Sequence, residues 1–452
     1  MRRFAFRRYS AIFAILVSAV STHALPPDFE RKDWVAGLIS PLAMKWAPDG
    51  RLFVLEQAGH VRIIKDGVLL PAKFATVKTW TGHRESMLGV AFDPNFAENG
   101  FIYLYYSENG VQKNRITRIT SSKANPDLSE AGSEVVLLDG IGAAGYQGGA
   151  FFFGKDRMLY AASAHGGSQN LNDLGGKVLR LNPAAYPNVI PSDNPFLGRA
   201  DARPEVWAYG FREPFTGAAD TVTGDMVVND VGEGKAEEVD LLKKGANYGY
   251  EAGCEGTCAK AGMENPWVEY DHGLGSCITG GAFYYGATFP REYRGSYFHA
   301  DWGKAWIKRR DAAGKISDFD AGGKVIQLDV GPDGSLYLLK INGENIPWTG
   351  SVEKVRYTGL VGTVPYAVAD RGRAFGPEVN ALRRGTRDRI RFFLGGQGLK
   401  AASVELLDAR GKSLARVSDR AAKSELVWTF GAGAVPAGIC YYTLEAVSAG
   451  HG

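Results

Sequence analysis

The chain has 452 residues, a hydrophobic fraction of 45% and a formal net charge of +3, which are ordinary values for a globular protein of two or three domains. The nearly balanced charge and the lack of a basic run argue against nucleic acid as a partner. Glycine accounts for 58 residues and aromatic residues for 12% of the chain. This composition favours an all-β fold with many strands and tight turns over a helical one.

The N-terminus has the pattern of a secretory signal peptide. Basic residues including Arg2 and Arg3 precede the short apolar run "AIFAILVSAV", and small residues follow at Thr22 and Ala24. This order predicts a signal peptide over residues 1–24 and a periplasmic or secreted protein. The run is too short for a membrane anchor, and no other run is long enough to predict a transmembrane segment.

Export makes a disulfide plausible among the four cysteines. Cys254 and Cys258 enclose the short stretch "CEGTC" and are the favoured pair, although Cys277 could replace either of them. Cys440 lies in the apolar stretch "GICYYTL" and is interpreted as a buried strand residue.

One pattern recurs along the first three quarters of the chain. The stretches "APDGRLFVLEQAGHVRIIKDG", "DPNFAENGFIYLYYSENG" and "GPDGSLYLLKINGE" each combine a turn, a strand of apolar residues and a second turn. Such repeats predict a six-bladed β-propeller over residues 25–358, with a large β-sandwich as the alternative. A linker is predicted over 359–376. The alternating stretches "DRIRFFL", "SELVWTF" and "AGICYYTLEAV" then predict a small immunoglobulin-like β-sandwich over 377–452.

Seven blocks carry a family resemblance, among them "MLGVAFDPNFAENGFIYLYYS", "EVWAYGFREPF", "EEVDLLKKGANYGY" and "SCITGGAFYYG". In order and spacing they resemble the glucose/sorbosone dehydrogenase family of soluble sugar dehydrogenases. The resemblance implies a six-bladed propeller with its site at the axial mouth. It also implies the cofactor pyrroloquinoline quinone (PQQ), Ca²⁺, an aldose oxidised at its anomeric carbon and an external electron acceptor. The C-terminal stretch "VELLDARGKSLARV" resembles immunoglobulin-like modules appended to exported bacterial enzymes.

The expected catalytic pair is altered in this chain. Active members of the family carry a histidine, the general base, where this chain has Tyr146 in "GAAGYQGG", and an orienting aspartate where it has His165 in "ASAHGG". Imidazole has a pKa suited to a general base at neutral pH, whereas phenol does not. Three interpretations stay open: an inactive site, His165 acting as the base directly or through Tyr146, or an alignment shifted by a residue or two.

The resemblance also implies a cofactor pocket with fewer cations than usual. PQQ has three carboxylates and requires cationic donors. Arg212 in "YGFREP" is retained and is followed by Glu213. Lys304 lies two residues after Trp302, where active members have a lysine; if both lie on a strand they share a face, and Lys304 partly replaces that lysine. Lys324 and Ile326 stand where active members have arginines. Each lost charge-assisted hydrogen bond costs roughly 1.5–3 kcal/mol. The predicted cofactor contacts are Arg212, Lys304, Trp302, Lys324 and Gln147.

By the same resemblance, Ca²⁺ is held by main-chain carbonyls in "NDVGEGKAEEVDLL". Gly232 and Glu233 are the expected carbonyl ligands, and Asp230 is a further candidate. Glu237 and Glu238 are either ligands or residues with a structural or solvated position.

Two classes of function follow. One is a PQQ- and Ca²⁺-dependent dehydrogenase of a sugar or oligosaccharide, with an altered base pair. The other is a catalytically inactive propeller that binds a glycan or a protein. A metal-assisted hydrolase is less favoured, since only the Asp230 region suggests converging ligands.

Overall fold

The computed structural model describes residues 25–80, 86–111, 113–142, 148–343 and 347–359, together with six strands between 378 and 448. The predicted signal peptide (1–24), most of the predicted linker, Cys440 and the residues Tyr146 and Gln147 lie outside the described residues. In the described part of the chain, none of the helices has the length and apolar character needed to cross a membrane.

The first blades confirm the predicted repeat of four-stranded antiparallel sheets. Blade 1 consists of β2 (Pro41–Trp46), β3 (Leu52–Glu56), β4 (His60–Lys65) and β5 (Val68–Leu69), with the short β6 (Ala75–Thr76) paired to β4. Blade 2 consists of β7 (Met87–Phe92), β8 (Phe101–Ser107), β9 (Asn114–Thr120) and β10 (Val135–Ile141), with helix α1 (Phe96–Asn99) between its first two strands. Blade 3 consists of β11 (Phe151–Phe153), β12 (Leu159–Ser163), β13 (Lys177–Leu181) and β14 (Val206–Tyr209).

The remaining blades repeat this order and close the ring. Blade 4 consists of β15 (Pro214–Ala219), β16 (Met226–Asp230), β17 (Ala236–Leu241) and β18 (Val268–Asp271). Blade 5 consists of β19 (Ile278–Tyr284), β20 (Ser296–Asp301), β21 (Trp306–Arg310) and β22 (Ile316–Asp320). Blade 6 takes β23 (Val325–Val330), β24 (Leu336–Asn342) and β25 (Thr349–Tyr357) from the end of the propeller and β1 (Phe29–Ile39) from its beginning. Short 3₁₀ turns lie at Pro183–Ala185 and Arg291–Tyr293.

The first strand of each blade lines the axis. Strands β2, β7, β11, β15, β19 and β23 contact one another in a closed ring, so the six-bladed propeller is the correct alternative and the large sandwich is not. Apolar clusters fill the space between neighbouring blades. Between blades 3 and 4, for example, Tyr160, Val178 and Phe211 pack with Val228 and Tyr248.

The repeated "PDG" stretches form the tight turns between the first two strands of a blade. In blade 1, Gly50 has a φ of 88°, and the amide of Ala47 donates to the carbonyl of Arg51 at 2.8 Å. In blade 6, Gly334 has a φ of 74°, and the side chain of Asp333 accepts from the amide of Ser335 at 3.1 Å. Glycine adopts this left-handed conformation without steric cost, which explains why the turn recurs with the same residues.

After the propeller, six strands form two three-stranded antiparallel sheets, with orders β26-β27-β30 and β29-β28-β31. Their bounds are Glu378–Arg384 (β26), Arg387–Phe393 (β27), Leu399–Leu407 (β28), Ser413–Asp419 (β29), Glu425–Gly431 (β30) and Tyr441–Ser448 (β31). The immunoglobulin-like classification of residues 377–452 stays a prediction.

Candidate functional site

Strand order alone brings the predicted site residues to one face of the propeller. Successive strands of a blade run in opposite directions, so the turn between the second and third strands and the connection to the next blade lie at the same face. We call this the site face. His165 lies between β12 and β13, Arg212 between β14 and β15, and Gly232 between β16 and β17. Trp302 and Lys304 lie between β20 and β21, and Lys324 lies between β22 and β23.

His165 is half-buried and is held against the Arg212 segment. Its amide donates to the carbonyl of Arg212 at 2.6 Å, and its ring lies 5.6 Å from that of Tyr250 in an edge-on arrangement. Burial lowers the pKa of the imidazole, and the guanidinium of Arg212 lowers it further, against the carboxylates of Glu251 and Glu233. The imidazole is therefore neutral near pH 7 and able to accept a proton.

Arg212 connects several of the predicted residues. Its Nη1 donates to the carbonyl of Val231 at 2.8 Å, its amide donates to Asp230 at 2.9 Å, and its Nη1 lies 3.8 Å from the buried carboxylate of Glu213. Glu213 therefore adds negative charge beside Arg212, as the sequence indicates.

The turn with the expected carbonyl ligands is fixed from one side by the disulfide loop. Oε1 of Glu255 accepts hydrogen bonds from the amides of Gly234, Lys235 and Ala236 at 2.9, 2.8 and 3.2 Å. Partial burial acts to raise the pKa of Glu255, but these amide bonds outweigh it and hold the pKa below its usual value. Glu255 lies inside the Cys254–Cys258 disulfide, whose prediction is confirmed. Cys277 is half-buried and takes no part in this bridge.

At the other side of this turn, Glu233 is exposed and its carboxylate accepts a hydrogen bond from the Tyr250 hydroxyl at 3.3 Å. Burial raises the pKa of Tyr250, and Glu233 raises it further. One polar group on the site face thus contains His165, Tyr250, Glu233 and Arg212.

A second group contains Trp302, Lys304 and Lys324. The ammonium of Lys324 lies 4.7 Å from the centre of the Trp302 ring, a cation–π contact. Lys304 is exposed, and its amide donates to Asp301 at 2.6 Å. Trp302 and Lys304 lie in the turn between β20 and β21, so the expectation that strand periodicity puts them on one face is wrong. Ile326 is buried in the core between blades.

Three carboxylates converge beneath the first group. Asp230 and Glu238 are opposite each other on β16 and β17, and Asp240 follows Glu238 by two residues on the same face of β17. We call these residues the acidic triad. All three are buried, and one carboxylate oxygen from each lies within 4.8 Å of the others.

Asp240 distinguishes the acidic triad from an ordinary hydrogen-bonded cluster. Asp230 accepts the amides of Arg212 and Glu213 at 2.9 and 2.5 Å, and Glu238 accepts the amide of Gly256. Asp240 is fully buried, and among the described residues neither of its oxygens has a hydrogen-bond partner. A buried, unpaired carboxylate is costly unless it is protonated or binds a cation.

The electrostatics of the acidic triad also favour either protonated carboxyl groups or a bound cation. Burial raises the pKa of Asp230 to about 7 and that of Glu238 to about 8, and the neighbouring carboxylate adds to the shift of Glu238. Burial, together with Glu238 and Asp230, raises the pKa of Asp240 well above its ordinary value. Carboxylate oxygens are the ligands that Ca²⁺ prefers, so the residues fit such an ion.

The sequence indicated Asp230 and left the role of Glu238 open, but it did not indicate Asp240. The alternation in "EEVDLL" was the available signal, because residues two apart on a strand share a face. Glu237 has a different environment from the triad. Its Oε1 lies 2.9 Å from Nε2 of His272, and its Oε2 accepts the amide of Ile278.

Comparison with known proteins gives three findings. The chain is 27% identical over 325 residues to "Aldose sugar dehydrogenase YliI" of Escherichia coli, covering 66% of this chain and 86% of that protein. It is 28% identical over 225 residues to the mouse Hedgehog-interacting protein, covering 43% of this chain and only 32% of that protein. The solved PQQ-bound aldose sugar dehydrogenase of Streptomyces coelicolor shares the fold, with a TM-score of 0.60, 22% identity, and coverage of 74% of this chain and 100% of that one.

The family model "Glucose / Sorbosone dehydrogenase" matches residues 38–346, which include blades 1 to 5, the first two strands of blade 6 and both groups of site residues. That match covers more than half of the chain and agrees with the six blocks of strands and the shared site face. The chain belongs to the glucose/sorbosone dehydrogenase family.

Proposed function

We propose that this protein is a PQQ-dependent dehydrogenase that oxidises an aldose at its anomeric carbon, with His165 as its general base. The observation that carries the proposal is the position of His165: a half-buried imidazole on the site face, backed by Arg212 and packed against Tyr250. Family membership and the similarity to an aldose sugar dehydrogenase support the reaction class.

The proposed chemistry requires an acceptor for the hydroxyl proton of the anomeric carbon. A neutral imidazole is suited to this step, and burial together with Arg212 lowers the pKa of His165 and keeps it neutral. The Tyr250 hydroxyl is engaged with Glu233, so the Tyr250 ring orients the imidazole without competing for the proton. PQQ, when bound, supplies the acceptor for the hydride that leaves the same carbon. An external acceptor then takes the electrons.

The residues present fit PQQ in part. Arg212 is held rigidly by the Val231 carbonyl, which suits a donor to a carboxylate, and Lys324 supplies a second cation beside Trp302. Glu213 reduces the positive potential around Arg212. We therefore propose Arg212, Lys324 and Trp302 as cofactor contacts and expect weaker PQQ binding than in members with more cations. Lys304 and Gln147 remain candidates from the sequence.

We also propose that Ca²⁺ binds in this blade. The sequence resemblance implies the carbonyls of Gly232 and Glu233 as ligands. The acidic triad supports a cation beneath them, because its oxygens converge and those of Asp240 have no hydrogen-bond partner among the described residues. Asp230 belongs to the triad and lies two residues before Gly232, so it connects the two sets of ligands.

The signal-peptide pattern supports a periplasmic or secreted location, and the alternating C-terminal stretches support an immunoglobulin-like sandwich after residue 376. Both are part of the proposal.

The second candidate is a propeller of the same family that binds a glycan or a protein without redox chemistry. Two considerations favour it: the sequence resemblance puts Tyr146 where active members have the base, and one relative is a Hedgehog-interacting protein.

The test is dye reduction by the mature protein with PQQ, Ca²⁺ and a panel of aldoses. We expect activity in the wild type that falls at least about 100-fold in His165→Gln, the usual scale for losing a general base. His60→Gln is the matched control, because His60 lies on β4 in blade 1 and contacts Lys73. Activity that appears only in Tyr146→His would contradict the role of His165. If no variant binds PQQ or shows activity, the result would favour the second candidate, a propeller that binds a glycan or a protein without redox chemistry.

A further inference from the structure

We infer that Lys177 and Glu251 are positioning residues that hold the His165 turn from opposite sides. The turn comprises residues 165–168, between β12 and β13. The catalytic consequence of this inference rests on the proposed function, whereas its structural part does not.

Lys177 holds the carbonyl side of the turn. It is the first residue of β13 and is fully buried. Its ammonium donates to the carbonyls of Gly167 at 2.8 Å and Ser168 at 3.1 Å, and also to that of Gly175. An ammonium has three N–H donors, so this environment satisfies all of them. A neutral, apolar side chain at this position would remove the ammonium from all three carbonyls, although those of Gly167 and Ser168 also accept the amides of Asn170 at 2.9 Å and Gly210 at 3.1 Å.

Glu251 holds the amide side of the same residues. Its carboxylate accepts from the amide of Ser168 at 2.7 Å and from that of Gly167 at 3.4 Å. Glu251 also has a φ of 62°, a left-handed conformation that is unfavourable for a residue with a side chain. Such strain is retained where the surrounding structure fixes it, often at functional positions.

The charges on the two sides are matched to the peptide groups that they contact. The cation faces carbonyl oxygens and the anion faces N–H groups, so both interactions favour one orientation of the Gly167–Ser168 segment. Burial lowers the pKa of Lys177 to about 8, while Asp173 and Glu251 counteract that effect. Lys177 is therefore mainly charged at neutral pH.

Because residues 165–168 are held on both sides, the imidazole of His165 is fixed as well. The amide of His165 is tied to the Arg212 carbonyl, and the Ser168 hydroxyl donates to the Phe211 carbonyl at 2.8 Å. Tyr250, whose ring packs on His165, is the residue just before Glu251. The same anchor thus fixes both the turn that carries His165 and the ring against which it packs.

The test compares Lys177→Met and Glu251→Gln by NMR of the mature chain with labelled histidine, the His165 signal being assigned from His165→Gln. We expect Lys177→Met to lose the proton–proton contacts between His165 and Tyr250. We expect Glu251→Gln to weaken these contacts and to lower the pKa of His165, because Glu251 raises it in the wild type. In dye reduction, kcat/KM should fall at least about tenfold in each, mainly through kcat, as expected for misplaced catalytic groups.

Arg180→Met is the matched control. Arg180 is a buried cation on the same strand, β13, but its partners are Asp156 and Asp193. It should lose stability while the His165–Tyr250 contacts stay as in the wild type. If Lys177→Met does not fold, Glu251→Gln alone tests the inference, because Glu251 is exposed.

Unchanged His165–Tyr250 contacts and an unchanged His165 titration in the folded variants would overturn the inference. A wild-type protein without dye reduction would instead overturn the proposed function, and the NMR comparison would still decide the positioning roles.

Discussion

Replacing Asp240 with asparagine should remove the calcium response of this protein and flatten its pH dependence of stability. The substitution keeps the shape of the side chain and removes one charge from the acidic triad. Asp240 is the informative position, because it is fully buried and neither oxygen has a hydrogen-bond partner among the described residues.

The magnitude follows from the shifted pKa values. Raising the pKa of Asp230 from 3.8 to about 7 changes the free energy of unfolding by about 4 kcal/mol between its protonated and ionised forms, at about 1.4 kcal/mol per pH unit. Because the folded protein holds protons that the unfolded chain releases near pH 4, the free energy of unfolding without calcium should fall as pH rises from about 4 to about 8. A bound cation offsets that loss. At 100 times its Kd, Ca²⁺ adds about 2.7 kcal/mol to the free energy of unfolding, or about 3 °C in Tm for a chain of this size.

The assay is unfolding at pH 5 and pH 8, each with a chelator and with excess Ca²⁺. The wild type should gain stability from Ca²⁺ at pH 8 and little at pH 5, and Asp240→Asn should gain little at either pH. Asp93→Asn is the control, since Asp93 is a buried carboxylate of blade 2 with three hydrogen-bond donors. Equal calcium responses in Asp240→Asn and the wild type would refute the reasoning.

Three further predictions concern other groups. In the proposed reaction, kcat/KM should fall only below about pH 6.5, because the pKa of His165 is lowered; an acid limb above pH 7 would contradict its assignment as the base. Burial and Lys308 lower the pKa of His299 to about 3, so stability should be lost as pH falls below 6.5. His299→Phe should therefore gain about 2 kcal/mol relative to the wild type between pH 7 and pH 5, measured by urea unfolding, and an unchanged difference would count against this. Replacing Cys254 and Cys258 with serine should cost about 2 kcal/mol, the loop-closure value for so short a loop; a smaller loss on thermal unfolding, equal to that of Cys277→Ser, would argue against a stabilising bridge.

The fold was largely predictable because its repeat is local. Turns such as Asp49-Gly50 and Asp333-Gly334 are recognisable in the sequence, and each joins the two strands of a hairpin whose geometry glycine permits. The common face of the site follows from strand order alone. The Cys254–Cys258 pair was predictable from its short spacing.

The electrostatic detail of the site was less predictable, because it depends on contacts between distant segments. In "GGKVLRL", Lys177 looks like an ordinary exposed lysine, and its burial becomes visible only when residues 164–176 fold back over it. Glu251 lies 83 residues from the amide of Ser168 that it binds. The argument that placed Lys304 on the face of Trp302 was wrong because those residues lie in a turn, where the two-residue period of a strand does not apply.

The closure of blade 6 has a consequence for whatever is attached to the propeller. Phe29, at the start of β1, pairs with Tyr357, at the end of β25, so the chain enters and leaves the ring side by side. Both points lie at the face opposite the site face, because β25 runs away from the site face and β1 runs towards it. A tether or fused partner at either end would therefore attach at the face opposite the site face and leave the site face accessible to incoming molecules. Joining the two ends by a short linker and opening the chain elsewhere should give a circular permutant that keeps the site face unchanged.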